Sequence, residues 1–250
     1  MARCGVTWTT APLIPTSVYL VRTPNFLQRL LSSYTWRGAP TDKVVYLTFD
    51  DGPIPELTPW VLEQLARYDA RGTFFCVGEN VERYPDLLTE VTDAGHAVGN
   101  HTYNHLDGWC TDIAPYVDNV ARCAGLVDSR LFRPPYGRLS PRKAALLRRE
   151  YRIVMWDVLS GDFDPACSPA ACLANVLDNV QPGSIVVFHD SLKSERNLRY
   201  ALPRTLAALS AQGYRFEALG ASRPTTSKRT PARQPSTSLG GGVPAYAGAV

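Results

Sequence analysis

Two adjacent carboxylates, Asp50 and Asp51, close the apolar run Val44-Val45-Tyr46-Leu47-Thr48-Phe49 and are followed by Gly52. Holding both at the tip of a hydrophobic strand is costly, because each carboxylate raises the other's pKa by repulsion. A cation, or a proton that the pair needs for chemistry, offsets that cost. Asp-Gly is also a frequent turn dipeptide, so the run gains meaning only if ligands for the same cation recur downstream. They do. His101 and His105 stand four residues apart, on one face if helical and close together if they share a tight loop. Two imidazoles and one carboxylate, with positions left open for water, make a recurrent hydrolytic metal set. His96 reads instead as a hydrogen-bonded structural residue.

The elements that would carry these groups follow a regular rhythm. Strands are expected over 44–50, 73–77, 97–100, 131–135, 152–158, 184–190 and 214–219. Helices are expected over 59–68, 85–94, 113–127, 141–150, 169–180 and 198–211, one of them opening on Pro141. Near-continuous apolar strands alternating with helices indicate a parallel sheet covered by helices. Seven such strands, with no G-x-G-x-x-G after the first, favour an α/β distorted barrel over an open dinucleotide-binding sheet. Sites in such barrels lie at the C-terminal ends of the strands. Asp50-Asp51, His101 and His105, Arg133 and Tyr136, Asp162, and His189-Asp190 all fall at such ends. That convergence argues for one catalytic centre.

Charge and composition narrow the function classes. The net charge of +3 hides an uneven distribution: residues 1–40 carry four Arg and residues 221–250 three Arg and one Lys, without acids. Between 41 and 220 there remain 18 basic and 23 acidic residues, a net of −5, which argues against a nucleic-acid binder. No stretch reaches the roughly 18 apolar residues that a spanning helix needs. Residues 1–21 lack a continuous apolar core, so no secretory signal is visible and the sequence reads as cytoplasmic. The six cysteines have no C-x-x-C pair and are expected to be reduced. Residues 1–40 read as an N-terminal extension packing on or flanking the barrel, with residues 1–21 of little structural importance and an amphipathic piece over 19–33 covering the barrel's bottom or edge. Residues 41–220 read as the functional domain and 221–250 as a disordered Pro/Ser/Thr/Gly-rich tail. A monomer is expected.

Five short motifs, in order, bring a resemblance into view. They are Thr48-Phe49-Asp50-Asp51-Gly52, His101-Thr102-Tyr103-Asn104-His105, Arg133-Pro134-Pro135-Tyr136-Gly137, Leu159-Ser160-Gly161-Asp162-Phe163 and Val187-Phe188-His189. Together they resemble the polysaccharide deacetylase family, the carbohydrate esterases with a NodB homology domain. The resemblance implies a NodB-like barrel and a metal site of Asp51, His101 and His105, commonly holding zinc, with cobalt, manganese or nickel as alternatives. It implies Asp50 as general base held by Arg133, and His189 as general acid oriented by Asp162. It places the backbone N–H of Tyr136 at the oxyanion, and Pro135, Phe163 and Val187 among the substrate contacts.

The fourth motif has Phe163 where the family usually has Trp, and the fifth has Val187 where Leu is usual. These two positions line the acetyl-methyl pocket in the family, so substrate preference is less constrained than reaction type. The function implied is removal of N-acetyl groups from an N-acetylglucosamine-containing glycan such as peptidoglycan or chitin. An O-acetyl xylan esterase would need the same apparatus, and a non-catalytic glycan-binding module would keep only the barrel. A cell-wall substrate would require an envelope or extracellular location. Tyr103, Trp109, Tyr116 and Trp156 form a candidate sugar-stacking set, of which at most two are expected to touch substrate. Asn100-His101-Thr102 matches a glycosylation sequon by chance.

Overall fold

The structure is a computed structural model and describes residues 19–40 and 42–220. Cys4 and the tail expected to be disordered lie outside these residues. The strands are β1 (Val44–Asp50), β2 (Thr73–Cys76), β3 (Ala97–Asn100), β4 (Leu131–Phe132), β5 (Arg152–Ile153), β6 (Val158–Leu159), β7 (Ile185–His189) and β8 (Arg215–Phe216). Seven of them form one sheet in the order β5-β4-β3-β2-β1-β7-β6, every pair parallel, curled into a half-barrel. β8 pairs with the first residues of β1.

Alternation along β1 divides the interior in two. Val45, Leu47 and Phe49 point outward to the helices, where Phe49 stacks on Phe74 with ring centres 4.9 Å apart. That outer core buries Val61 and Leu65 of α2 (Thr58–Ala66), and Leu198, Leu202, Leu206 and Leu209 of α8 (Glu195–Ala211). The opposite face holds a smaller apolar set, Phe75, Leu131, Val154 and Ile185, together with the wholly buried Arg133. An arginine inside a half-barrel needs partners, and these define the site described below.

Local chemistry sets the helix starts. Proline opens α2, α4 (Pro85–Asp93), α6 (Pro141–Leu147) and α7 (Pro169–Leu177), where its missing N–H costs nothing. Ser140 and Ser168 cap two of them by accepting from the backbone N–H of Lys143 and Ala171.

Three features depart from the sequence expectation. α3 (Gly78–Arg83) has only Val81 as a buried apolar side chain, so it leaves no periodic signal. Its first turn is fixed by Gly78 and Glu79 N–H groups donating to the Thr102 and Tyr103 carbonyls. The strand expected over 152–158 is split, because Val154 and Met155 turn their carbonyls to the Arg133 guanidinium at 3.3 and 3.0 Å. The amphipathic reading of 19–33 is also corrected. α1 (Asn25–Leu30) buries no residue, and its Phe26 and Leu30 are 71% and 75% exposed.

The flanking strip attaches through its backbone instead. Arg22 bridges Val158, Thr35 bridges Val154 and Arg37 bridges Ser184. The strip therefore runs along the seam between β5 and β6, the two unpaired ends of the sheet. Its Arg37 meets the buried Asp157 at 3.4 Å, and its Trp36 is 8% exposed. It packs on the barrel as part of the sheet's edge. Among the described residues no helix is long and apolar enough to cross a membrane.

Candidate active site

The two adjacent carboxylates are pulled apart by the backbone. Asp50 ends β1 with its side chain turned into the half-barrel, where Oδ1 accepts from Arg133 Nη1 at 2.6 Å. Asp51 takes a left-handed conformation, φ 79°, which turns its side chain the other way. Asn80 Nδ2 donates to the Asp51 carbonyl at 2.7 Å, and the Gly52 N–H donates to Asp190 Oδ1 at 3.1 Å. Asp190 Oδ2 accepts from Thr58 Oγ1 at 2.6 Å, and burial pushes the Asp190 carboxyl up to about 7.

His101 and His105 follow β3 in a tight loop, not on a helix. Thr102 and His105 both adopt positive φ, 64° and 55°, a costly state for a β-branched threonine. Asn100 holds this turn by accepting from the Thr102 N–H at 2.9 Å, while its own amide donates to the Val120 carbonyl. Asn100 is thus fully buried and engaged, and the sequon at Asn100 presents no accessible amide.

His101 is 2% exposed, and its Nδ1 faces the Arg133 carbonyl at 2.8 Å. A carbonyl only accepts, so Nδ1 carries the proton and Nε2 keeps its lone pair. Burial, with further repulsion from His105, lowers the His101 pKa to about 4 despite the nearby carboxylates, which keeps the ring neutral. Asp51 Oδ1 lies 3.2 Å from His105 Nε2 and 3.7 Å from His101 Nε2. Burial alone would raise the Asp51 carboxyl, but the His105, His189 and His101 imidazoles hold it below its usual range.

Asp51 Oδ1 is buried and makes no hydrogen bond. One ligand atom from each of Asp51, His101 and His105 falls within 4.8 Å of the others. An orphaned carboxylate oxygen facing a neutral imidazole with a free lone pair is costly unless a cation lies between them. The donor set therefore fits a divalent metal. The two imidazoles are neutral-capable ligands, and the Nδ1–carbonyl bond fixes the orientation of His101.

Arg133 is the hub beneath this set. Besides Asp50 it donates to Thr48 Oγ1 at 2.8 Å, and its guanidinium lies 4.1 Å from the Phe75 ring centre. Across the sheet, His189 ends β7 in register with Asp50. Its Nδ1 meets Asp162 Oδ1 at 2.8 Å, and Asp162 Oδ2 accepts the His189 backbone N–H at 2.7 Å. Burial alone would lower the His189 pKa, but Asp162, with Asp51 and Asp50 beyond it, raises it to about 9.

The expected substrate contacts divide. Tyr136 is 60% exposed, has a left-handed backbone with φ 60°, and its ring meets His105 at 4.7 Å between centres. The Phe163 ring lies 5.2 Å from that of His189 and 5.3 Å from that of Tyr19. Pro135 is buried and Val187 is 1% exposed, so neither presents an open face. Val187 sits two residues before His189 on the same strand face, beneath the imidazole. Of the aromatic set, Tyr103 and Tyr116 are buried and Trp109 is exposed.

A cavity of about 390 Å³ opens over Asp51 and His105, lined also by Asn80, Tyr84 and Leu192. A larger one, about 560 Å³, lies at the opposite ends of the strands near His96 and Arg130, away from these groups. His96 accepts from the Gly72 N–H at 3.0 Å, as a structural histidine does.

Sequence reasoning gave no supporting role to four residues. Thr48 holds Arg133, Asp190 and Thr58 hold the Asp51 turn, and Asn197 Nδ2 donates to the Asp162 carbonyl at 3.2 Å. Thr48 was detectable, because it lies two residues before Asp50 on the same face of β1. Asn197, in a helix distant in sequence, carried no signal.

The model of the polysaccharide deacetylase family matches residues 37–153. A peptidoglycan-N-acetylglucosamine deacetylase of Bacillus cereus is 33% identical over 189 residues, spanning 73% of this chain and 89% of its own. The chain belongs to the polysaccharide deacetylase family. Within that family, a chitooligosaccharide deacetylase of Azorhizobium caulinodans is 33% identical over 177 residues, spanning 66% of this chain and 84% of that protein. The solved structure of the Bc1960 peptidoglycan N-acetylglucosamine deacetylase superposes with a TM-score of 0.73 at 29% identity. It covers 79% of this chain and 95% of that one. A pseudoenzyme of the same carbohydrate esterase family from Bacillus anthracis superposes at 0.64, with 26% identity over 74% of this chain and 66% of its own. Membership therefore gives the fold and the class of chemistry, and leaves activity to be argued from the side chains.

Proposed function

We propose that this protein is a divalent-metal-dependent deacetylase that hydrolyses the N-acetyl groups of an N-acetylglucosamine-containing glycan. One observation carries the reading. The Asp50–Arg133 pair, the Asp51, His101 and His105 cluster and the His189–Asp162 pair lie together at the C-terminal ends of the strands, as a base, a metal triad and an acid would have to. A chain that had lost the reaction would have no need to retain all three.

When bound, a divalent cation at the triad would supply Lewis-acid polarisation of the acyl oxygen and acidify a water. Asp50, held through Oδ1 by Arg133, takes the proton of the attacking water as the water oxygen adds to the acyl carbon. The Tyr136 backbone N–H donates to the oxyanion that develops there, a contribution of about 3 kcal/mol for each such donor. His189 gives its Nε2 proton to the amide nitrogen as the C–N bond breaks, so acetate and an amine leave. Asp162 on Nδ1 keeps that proton on the side facing the substrate. Phe163, against the His189 ring, excludes water from the acyl methyl.

The test is acetate release from N-acetyl chito-oligosaccharides, peptidoglycan fragments and acetylxylan with added zinc, cobalt, manganese or nickel. Release from the N-acetylated glycans is expected. Release from acetylxylan alone would assign the apparatus to O-acetyl esters, and glycan binding without any release would make the protein a binding module.

A further inference from the structure

Beyond the metal ligands, exposed side chains form a ledge that none of the chemistry above uses. Trp109 is 65% and Tyr136 60% exposed. The Arg138 guanidinium lies between them, 5.3 Å from the Trp109 ring centre and 5.6 Å from that of Tyr136. The ledge is continuous with the candidate active site, because the Tyr136 ring meets His105 edge-on.

The loop that presents Trp109 is tightly held for a segment at the surface. Asp107 Oδ2 accepts from Arg138 Nη1 at 2.7 Å, and Oδ1 accepts from the Trp109 N–H at 2.8 Å. Gly108 bridges Leu139, and a Cβ at 108 would fall 2.1 Å from the Arg138 carbonyl, so this approach requires glycine. Lys143, 3% exposed, donates from Nζ to the Gly108 and Thr111 carbonyls at 3.0 and 2.5 Å. Burying a lysine to pin two loop carbonyls is costly. The loop it fixes carries an indole that adds nothing to the core, and such pre-organisation favours a ligand.

We propose that Trp109, with Arg138 and Asp107, forms the subsite for a second, uncharged pyranose ring adjoining the sugar whose N-acetyl group is hydrolysed. A pyranose offers apolar C–H faces and a rim of hydroxyls. The exposed indole face takes the first, and the Arg138 N–H groups outside the Asp107 bond, with the remaining lone pair of Asp107 Oδ2, take the second. Asp107 neutralises Arg138, so the ledge has no surplus charge to attract an anionic sugar. The subsite rests on the deacetylase reading and adds to it a preference for oligomers over the monosaccharide.

The experiment compares the metal-loaded wild type with Trp109→Ala, Trp109→Phe and Arg138→Ala on N-acetylglucosamine oligomers of one to five rings. KM and kcat for acetate release are read alongside calorimetric binding of the pentamer and a thermal melt of each variant. Trp109→Ala should raise KM for the pentamer about tenfold or more with a much smaller change in kcat, and should flatten the dependence on chain length. Trp109→Phe should recover most of the loss. An undiminished dependence on chain length in Trp109→Ala, or an equal fall in kcat on every oligomer, overturns the subsite and leaves the deacetylase reading standing. Pentamer binding that depends on Trp109, without acetate release by the wild type, overturns the deacetylase reading and leaves only the Trp109 sugar contact standing.

Discussion

Arg133 Nη1 lies 2.6 Å from Asp50 Oδ1, with the two side chains 0% and 5% exposed. Such a pair gains little over an apolar replacement of both members, whereas removing one member strands the other charge. Arg133→Ala is expected to destabilise the fold by about 3–5 kcal/mol. Arg133→Lys should be milder in stability but still impair acetate release, because a single ammonium cannot serve Asp50, Thr48 and two carbonyls together. Urea unfolding of both variants, read beside their acetate release, checks this.

The pH dependence follows from His189. Its pKa is raised from 6.5 to about 9, so it remains a proton donor below about 9 and ceases to be one above it. The rate should therefore fall as pH rises through about 9. Asp162→Asn removes the principal raising influence and leaves burial to lower the pKa, so the alkaline limb should move to lower pH. The same pairing contributes stability that is complete below pH 6.5 and lost as pH rises through about 9. Profiles of kcat/KM against pH for the two proteins decide the matter; an unmoved alkaline limb in Asp162→Asn would assign it to another group.

Metal should stabilise the folded chain. A ligand that binds only the native state at a hundred times its Kd contributes about 2.7 kcal/mol. Adding zinc or cobalt should raise the Tm, and a chelator should reverse the rise. His101→Ala should abolish the shift. Asp50→Asn should retain it while losing turnover by about 10²-fold or more. A Tm shift that survives His101→Ala would move the metal elsewhere.

Gly52 has no room for a side chain. A Cβ there would fall 2.1 Å from Asp190 Oδ2, whose carboxylate is already engaged by Thr58 and by the Gly52 N–H. Gly52→Ala should cost about 1–3 kcal/mol and shift the Asp51 side chain, weakening metal binding as well as the fold. Thermal melts with and without metal separate the two effects.

Much of this architecture was legible in the chain. Alternating apolar runs located β1, β2, β3 and β7, and proline and serine punctuation located most helices. The strand-end positions of Asp50, His101, Arg133 and His189 were visible for the same reason. What escaped was chemistry made by distant segments. The break between Ile153 and Val158 exists because carbonyls there serve an arginine some twenty residues earlier, and no local pattern encodes that. α3 lacked a hydrophobic stripe because the backbone of the His101–His105 loop fixes it.

The strip along the seam has a practical consequence for anyone shortening this chain. The family match begins at residue 37, and a fragment started there would retain every candidate ligand, base and acid. It would also strip the Arg22 and Thr35 bridges from β6 and from the residue after β5, baring backbone N–H and C=O groups at the two free margins of the sheet. Bare strand margins recruit other chains. Such a fragment should precipitate or self-associate with its chemistry intact, and the loss could be mistaken for a dead active site.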